Sequence, residues 1–185
     1  MAIHKDTSSM LRESLQEYLK VAEYCIQFRK DPKEWREGGC YGYPAAVMLF
    51  CILDTIGSYH HGRKEFKVQI DGKEKSINKD GYHFFFVLNS PYYNQSLSEA
   101  DIKNLYDNYR CLLMHNGAMA FDHFLLSDPS LRQPFPIRND GVRKVPLVNL
   151  YYFLDISQRA VSLFLNDIDQ IVPSSKQAEI IKKKR

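Results

Sequence analysis

The chain carries no Gly-rich phosphate loop, no G-x-S-x-G elbow and no H-E-x-x-H helix. That argues against a P-loop kinase, an α/β-hydrolase and a zinc protease. Cysteine is scarce, with four residues at 25, 40, 51 and 111 and no C-x2-C pair. A zinc ribbon or thioredoxin-like site is therefore not expected. Cys51 lies in an apolar run and reads as a small buried residue. Long apolar runs are missing too. The longest, Ala45 to Leu53, stops at Asp54, well short of the roughly 20 residues that span a bilayer. The first twenty residues are polar and charged, so no signal peptide is predicted. The expectation is a soluble, cytoplasmic protein of a reducing compartment, with no membrane partner. Nor does one sign of charge dominate. Twenty-five Lys and Arg against 22 Asp and Glu leave +3, so local clustering matters more than the total.

What is present suits one folded domain. The 185 residues are 44% hydrophobic and 25% charged, enough for a core and unlike a disordered chain. Ser8 and Ser9 offer N-caps to a helix in which Leu11, Leu15, Tyr18, Leu19, Ala22 and Ile26 recur at helical steps. Asp31-Pro32 is a stop, and 34–42 reads as loop. Tyr43-Pro44 opens a second helix. It is apolar nearly all round from Ala45 to Tyr59, as a central buried helix would be. Gly57 allows close packing there, and Gly62 ends the element.

The period then changes. Phe66, Val68 and Ile70 alternate with polar residues before Asp71-Gly72, which predicts a hairpin insertion over 64–80. Tyr82 to Leu88 fits either a strand or a buried helix. Ser98 caps a strong helix that runs to about Asn116, with Gly117 beyond it as C-cap. Residues 127–146 form a Pro-rich loop with a turn signal at Asn139-Asp140-Gly141. A final long helix is expected from Leu147 to Ile171, ended by Pro173. The fold class expected is mainly α: a bundle of four or five helices with one or two short β-hairpin insertions. It forms a single domain over 1–173, followed by a basic tail, 174–185, that closes on Lys182-Lys183-Lys184-Arg185.

Chemistry concentrates in Arg110 and His115, an Arg-x4-His pair near the end of the third of these helices. Arginine holds phosphate in a planar fork, and histidine exchanges a proton near neutral pH. At about 100° per residue, Ile102, Leu105, Tyr109, Leu112 and Leu113 share the core face. Arg110 and His115 lie about 140° apart by the same rule, with Asp107, Cys111 and Met114 between them. Such a face suits a partner helix, for example the same helix of a second subunit. The bland alternative is an Asp107–Arg110 surface ion pair and a His115 that merely favours the helix C-terminus.

The stretch Tyr109-Arg110-Cys111-Leu112-Leu113-Met114-His115-Asn116-Gly117 resembles the signature of the HEPN superfamily (higher eukaryotes and prokaryotes nucleotide-binding domains). Its motif is Arg-x4–6-His on a late helix of a helical bundle. The resemblance covers the helical body, roughly two thirds of the chain, and leaves the hairpin insertion and Pro-rich loop unexplained. It implies a face-to-face homodimer that cleaves RNA without metal or cofactor. Arg110 would bind the scissile phosphate, His115 would act as general acid or base, and Asn116 would orient either. The products would be a cyclic phosphate and a free 5′-hydroxyl. Cys111 stands where the family often has Asn, Asp or His, and some members only bind a nucleotide, RNA or protein. Many active members are toxins paired with a nucleotidyltransferase antitoxin, or defence effectors.

Asp54, inside an apolar helix, needs a partner because burying a lone carboxylate is costly. Arg110, a Tyr hydroxyl or a backbone group are the options, and a structural role is expected. His60, His61 and His83 match no usual metal-ligand spacing and read as loop histidines, with no metal site. Tyr82–Phe86, Tyr92-Tyr93 and Tyr151-Tyr152 are expected in the core, although aromatics also stack on unpaired bases. Arg138, Arg143 and Lys144, with Arg132, are the candidates for RNA backbone contact.

Overall fold

A computed structural model describes residues 4–35, 38–139 and 141–183. The chain is mainly α. Six α-helices occur among the described residues: α1 (Thr7–Gln27), α2 (Gly42–Tyr59), α3 (Glu99–Leu105), α4 (Leu112–Asn116), α5 (Leu150–Ile171) and α6 (Lys176–Lys183). A π-helical segment, Tyr106–Cys111, joins α3 to α4, so helical backbone runs unbroken from 99 to 116.

α1 is capped one turn earlier than expected. The Asp6 carboxylate accepts from the Ser9 N–H at 2.7 Å, and the Asp6 N–H donates to Ser9 Oγ at 3.3 Å. Ser9 is thus the return arm of a capping box rather than the cap. α2 is the centre of the molecule. Ala45, Ala46, Leu49, Phe50, Ile52, Leu53 and Ile56 are buried, and it packs on α1, α5 and the segment Gly81–Asn89. Phe50 stacks on Phe85 at 5.7 Å and meets Phe153 edge-on at 5.2 Å. By length and hydropathy α2 is the one helix among the described residues apolar enough to cross a membrane, but half of it is enclosed by its own chain.

Residues Gly81–Asn89 settle the strand-or-helix ambiguity as a 3₁₀-helix. Four consecutive side chains, Phe85 to Leu88, are buried there. Gly57 explains how this segment reaches α2. A Cβ at Gly57 would lie 2.1 Å from the Phe84 carbonyl oxygen, so only glycine permits the approach.

Among the described residues, three small two-stranded sheets decorate this body. β1 (Lys67–Ile70) and β2 (Lys73–Ser76) pair antiparallel, Ile70 opposite Lys73. Asp71 and Gly72 between them both have positive φ, 51° and 71°, as a type I′ turn requires. The Asp71 carboxylate accepts from the Glu99 N–H at 3.1 Å, and Lys75 pairs with Glu99, which docks the turn on the start of α3. β3 (Leu125–Leu126) pairs parallel with β6 (Val148–Asn149), and β4 (Ile137–Asn139) antiparallel with β5 (Lys144–Pro146). Of the Asn139-Asp140-Gly141 turn, Asp140 lies outside the described residues. α5 begins at Leu150, not Leu147, because Val148 and Asn149 are taken by β3. The Asn149 amide donates to Asp128 O and Leu131 O, at 3.1 and 2.6 Å, and so holds the Pro-rich loop.

Two further expectations change. The segment after Pro173 is not a solvated tail as far as it is described. Ser175 Oγ accepts from the Ala178 N–H at 3.1 Å, Ala178 is buried, and α6 packs on α2. Lys184 and Arg185, the end of the basic run, lie outside the described residues. His60 is not a loop histidine but a core residue, 3% exposed, its ring stacked 3.8 Å from Phe66 and flanked by Tyr92 and Phe164. Neither ring nitrogen has a hydrogen-bond partner among the described residues. His61 does lie at the surface side, 3.3 Å from Asp80. Tyr82–Phe86 and Tyr92-Tyr93 pack on or within the core, as expected.

Two predictions follow from this packing. Gly57→Ala forces Phe84 away from α2 and should lower stability by about 1–3 kcal/mol, the usual range for overpacking, read by urea denaturation. Burial pushes the His60 imidazole down to about 3 from its ordinary 6.5, so the folded state keeps it neutral while the unfolded chain protonates it. Stability from this group is fully present above pH 6.5 and is lost as pH falls toward 3, by up to about 1.4 kcal/mol per unit. His60→Phe should flatten that slope in urea melts run from about pH 7 down to 4.5.

Candidate functional site

Ser98 starts the 99–116 helix by accepting from the Asp101 N–H at 3.1 Å. Gly117, at φ 64°, ends it. Ile102, Leu105, Tyr109 and Leu113 are buried as the helical wheel predicts, while Leu112 is only partly so. The wheel fails in between. The π-turn widens the helix across Tyr106–Cys111, so each residue advances by less than 100° and the face beyond is rotated. π-bulges interrupt α-helices often at functional sites. This one carries Arg110 near its end.

Arg110 turns to α2. Its Nε and Nη2 donate to Asp54 Oδ2 at 3.2 and 2.5 Å. Both donors share one oxygen. Asp54 Oδ1 is buried with no hydrogen-bond partner among the described residues. The pair is about four-fifths buried, with side-chain exposures of 22% for Arg110 and 20% for Asp54. Burial lifts the Asp54 carboxyl above the ordinary carboxylate range, against the charge and hydrogen bonds of Arg110. Burial likewise opposes the charge on Arg110, but Asp54 outweighs it and holds the guanidinium firmly cationic. The guanidinium carbon also stands 5.3 Å from the Tyr106 ring centre, within cation–π range.

One turn on, Met114 Sδ lies 3.9 Å from Cys51 Sγ. Cys51 and Asp54 therefore face Met114 and Arg110 across two helices. The partner helix expected for this face is, for these two residues, α2 of the same chain. Cys51 is only partly buried, and burial, then Asp54, raises its thiol, which disfavours a thiolate. A shallow cleft of about 290 Å³ opens beside Asp54, walled by Tyr18, Thr55, Ser58 and Phe84.

The remaining residues sort themselves out. Asp107 pairs with Lys103, so the Asp107–Arg110 ion pair does not form. His115 and Asn116 are exposed on the last turn of α4. Among the described residues, no hydrogen bond or ion pair engages the His115 ring. Arg138 lays its guanidinium 5.2 Å from the Phe124 ring centre, and Arg143 pairs with Asp122. Lys144 is exposed on β5. Two of the three basic candidates thus attach to the loop that follows His115, and none of them contacts Arg110 in the described structure.

Sequence reasoning missed a second polar cluster. His123 is buried, with Nδ1 donating to Asp122 Oδ1 at 2.9 Å and Nε2 3.0 Å from the Asn104 side chain. Burial lowers its pKa. The adjacent Asp-His dipeptide was the one signal for it, and nothing in spacing tied it to Asn104. His123 also lines a larger cleft of about 520 Å³, between Lys30 with residues 38–43 and residues 118–127. The aromatics most exposed around it, Phe121, Phe124 and Tyr43, are not those the sequence singled out. No cluster of three or more potential metal ligands occurs among the described residues.

No protein-family model, no curated protein and no solved structure matches this chain.

Removal of Asp54 alone leaves a largely buried guanidinium without its acceptor. Asp54→Ala should cost about 1–3 kcal/mol in urea denaturation. Combining Asp54→Ala with Arg110→Met should recover part of that loss, and with the single Arg110→Met variant gives a coupling energy of about 0.5–3 kcal/mol in a double-mutant cycle.

Proposed function

We propose that the protein is a metal-independent endoribonuclease of HEPN type, of toxin or defence kind, acting as a cytoplasmic homodimer. In this reading α1, α2, the 99–116 helix and α5 form the bundle, α6 adds a fifth helix, and 64–80 and 127–146 are insertions. The observation that carries the reading is the Asp54–Arg110 pair. A guanidinium held by a carboxylate from the neighbouring helix is oriented in advance, and an exposed imidazole follows it on the same helix.

The chemistry needs no added reactant. The RNA 2′-oxygen attacks the adjacent phosphorus, and the bond to the 5′-oxygen breaks. A 2′,3′-cyclic phosphate and a 5′-hydroxyl result. Arg110 balances the charge that builds on the phosphoryl oxygens. His115 takes the 2′-hydroxyl proton or gives one to the leaving oxygen, and the second copy's pair serves the other step. Asn116 orients the imidazole or a phosphate oxygen. Asp54 acts through Arg110 as a positioning residue, and Asp107 shapes the local charge. Arg138, Arg143 and Lys144 contribute salt-dependent contact to the RNA backbone. No cofactor takes part. In a toxin pair, a nucleotidyltransferase-type antitoxin is the neutralising partner.

A second reading, a non-catalytic HEPN-like module that binds a nucleotide, RNA or protein, is favoured by one detail. Two of the Arg110 donors already converge on Asp54 Oδ2, which offsets part of the charge a phosphate would feel, and Cys111 follows in place of a polar residue.

The test is cleavage of labelled mixed-sequence RNA in EDTA. The wild type is expected to leave cyclic-phosphate ends. His115→Ala should slow cleavage about 100-fold or more, the usual share of a general acid or base. Arg110→Lys, which keeps a cation opposite Asp54, should slow it similarly because the fork is lost. A well-folded dimer, shown by sedimentation, that cuts no RNA would transfer the case to the binding module.

A further inference from the structure

The 520 Å³ cleft between Lys30 with residues 38–43 on one side and residues 118–127 on the other has the make-up of a stacking site. Phe121 is fully exposed, and Tyr43 and Phe124 are each about half exposed. All three line the cleft together with Lys30 and the backbone of Gly38 and Gly39. Flat rings left in water at one opening are surfaces on which another ring can lie.

Cations are poised at the same place. The Lys30 ammonium is 5.0 Å from the Trp35 ring centre and 5.9 Å from that of Tyr41, and Arg138 covers Phe124 at 5.2 Å. No carboxylate lines this cleft among the described residues. The other clefts described each carry a carboxylate in their walls: Asp71 and Asp101 in one, Asp155 beside Arg132 in another, Asp54 in the third. Asp122, between the lining residues Phe121 and His123, is already engaged by His123 and Arg143. Rings for base faces, cations for phosphates and no lining carboxylate among the described residues describe a single-stranded nucleic acid better than a peptide. A duplex keeps its base faces stacked and offers nothing to Phe121.

We infer that this cleft binds an unpaired nucleotide of a single strand, with Phe121 and Tyr43 stacking on its base and Lys30 near its phosphate. The position fits a substrate subsite, because residues 118–121 continue directly from Gly117, the C-cap of the helix that carries His115. The inference takes its ligand class from the ribonuclease reading and its geometry from the cleft alone.

The probe is a fluorescein-labelled 2′-O-methyl RNA 12-mer, which lacks the attacking hydroxyl and cannot be cut. Its failure to bind is therefore separate from failure to cleave. Anisotropy titrations at about 50 mM salt are expected to show the single strand bound at least about 10-fold tighter than the same strand annealed to its complement. Phe121→Ala should weaken it about 10-fold, in the range of one lost stacking contact. Phe121→Trp should restore it. Lys30→Ala should weaken it and reduce the salt dependence. Leu163→Ala, on the exposed side of α5, should change nothing. Phe121 buries nothing, so its variants fold. Equal affinity for the duplex, an unchanged affinity in Phe121→Ala, or no binding of the single strand would overturn the inference. The last of these would leave the cleft as a protein-contact surface.

Discussion

An eighteen-residue helix that is apolar on nearly every side must be covered on nearly every side, and the enclosure of α2 organises the rest of this protein. α1, α5 and the 3₁₀ segment supply the cover. The tightest contact is at Gly57, where the absence of a side chain lets the backbone of Phe84 close against the helix. Phe50, Phe85 and Phe153 interlock where these elements meet. Hydrophobic burial drives this assembly and is indifferent to direction. The glycine and the aromatic geometry are what give it one arrangement.

Asp54 is the exception on that helix, and it dictates where Arg110 goes. A carboxylate four-fifths buried needs a counter-charge, and the neighbouring helix provides one from its π-helical turn. The same contact has two consequences that pull apart. It pre-sets the direction of the guanidinium, which favours recognition of a planar anion. It also lends the guanidinium a resident anion. In the proposed reading, a phosphate at Arg110 competes with Asp54 Oδ2 for the guanidinium. Asp54 Oδ1, with no hydrogen-bond partner among the described residues, faces no such competition.

The surface divides in a related way. The aromatics that crowd the sequence, Tyr82–Phe86 and Tyr92-Tyr93, pack on or within the core. Those that face water at the larger cleft, Phe121 and Phe124 from one loop and Tyr43 from the start of α2, come from two segments far apart in the chain. The basic residues of the Pro-rich region join them through Arg138 on Phe124 and Arg143 on Asp122.

Elements defined by local repetition were legible in the sequence. Helical periodicity marked α1 and α5, and an apolar run opened by Tyr43-Pro44 marked α2. Alternation and Asp71-Gly72 marked the β1–β2 pair, and Ser98 and Gly117 marked the ends of the 99–116 helix. Each of these depends on neighbours a few residues away. What tertiary structure alone decided is what depends on distant ones. The close seat of the 3₁₀ segment on α2 depends on a glycine 27 residues before Phe84. Burial of His60 depends on Phe66, Tyr92 and Phe164 closing round it, and the link from His123 to Asn104 spans a helix and a loop. The π-turn that rotates Arg110 toward Asp54 has no signature in composition or period, and the wheel therefore left the arginine off the core. Sequence determined that Arg110, His115 and Asp54 were the residues to watch, because a fork, an imidazole and an isolated buried acid are each chemically conspicuous. Which of them touch was decided by packing, because a charge in a low-dielectric interior takes whichever opposite charge the fold brings within reach.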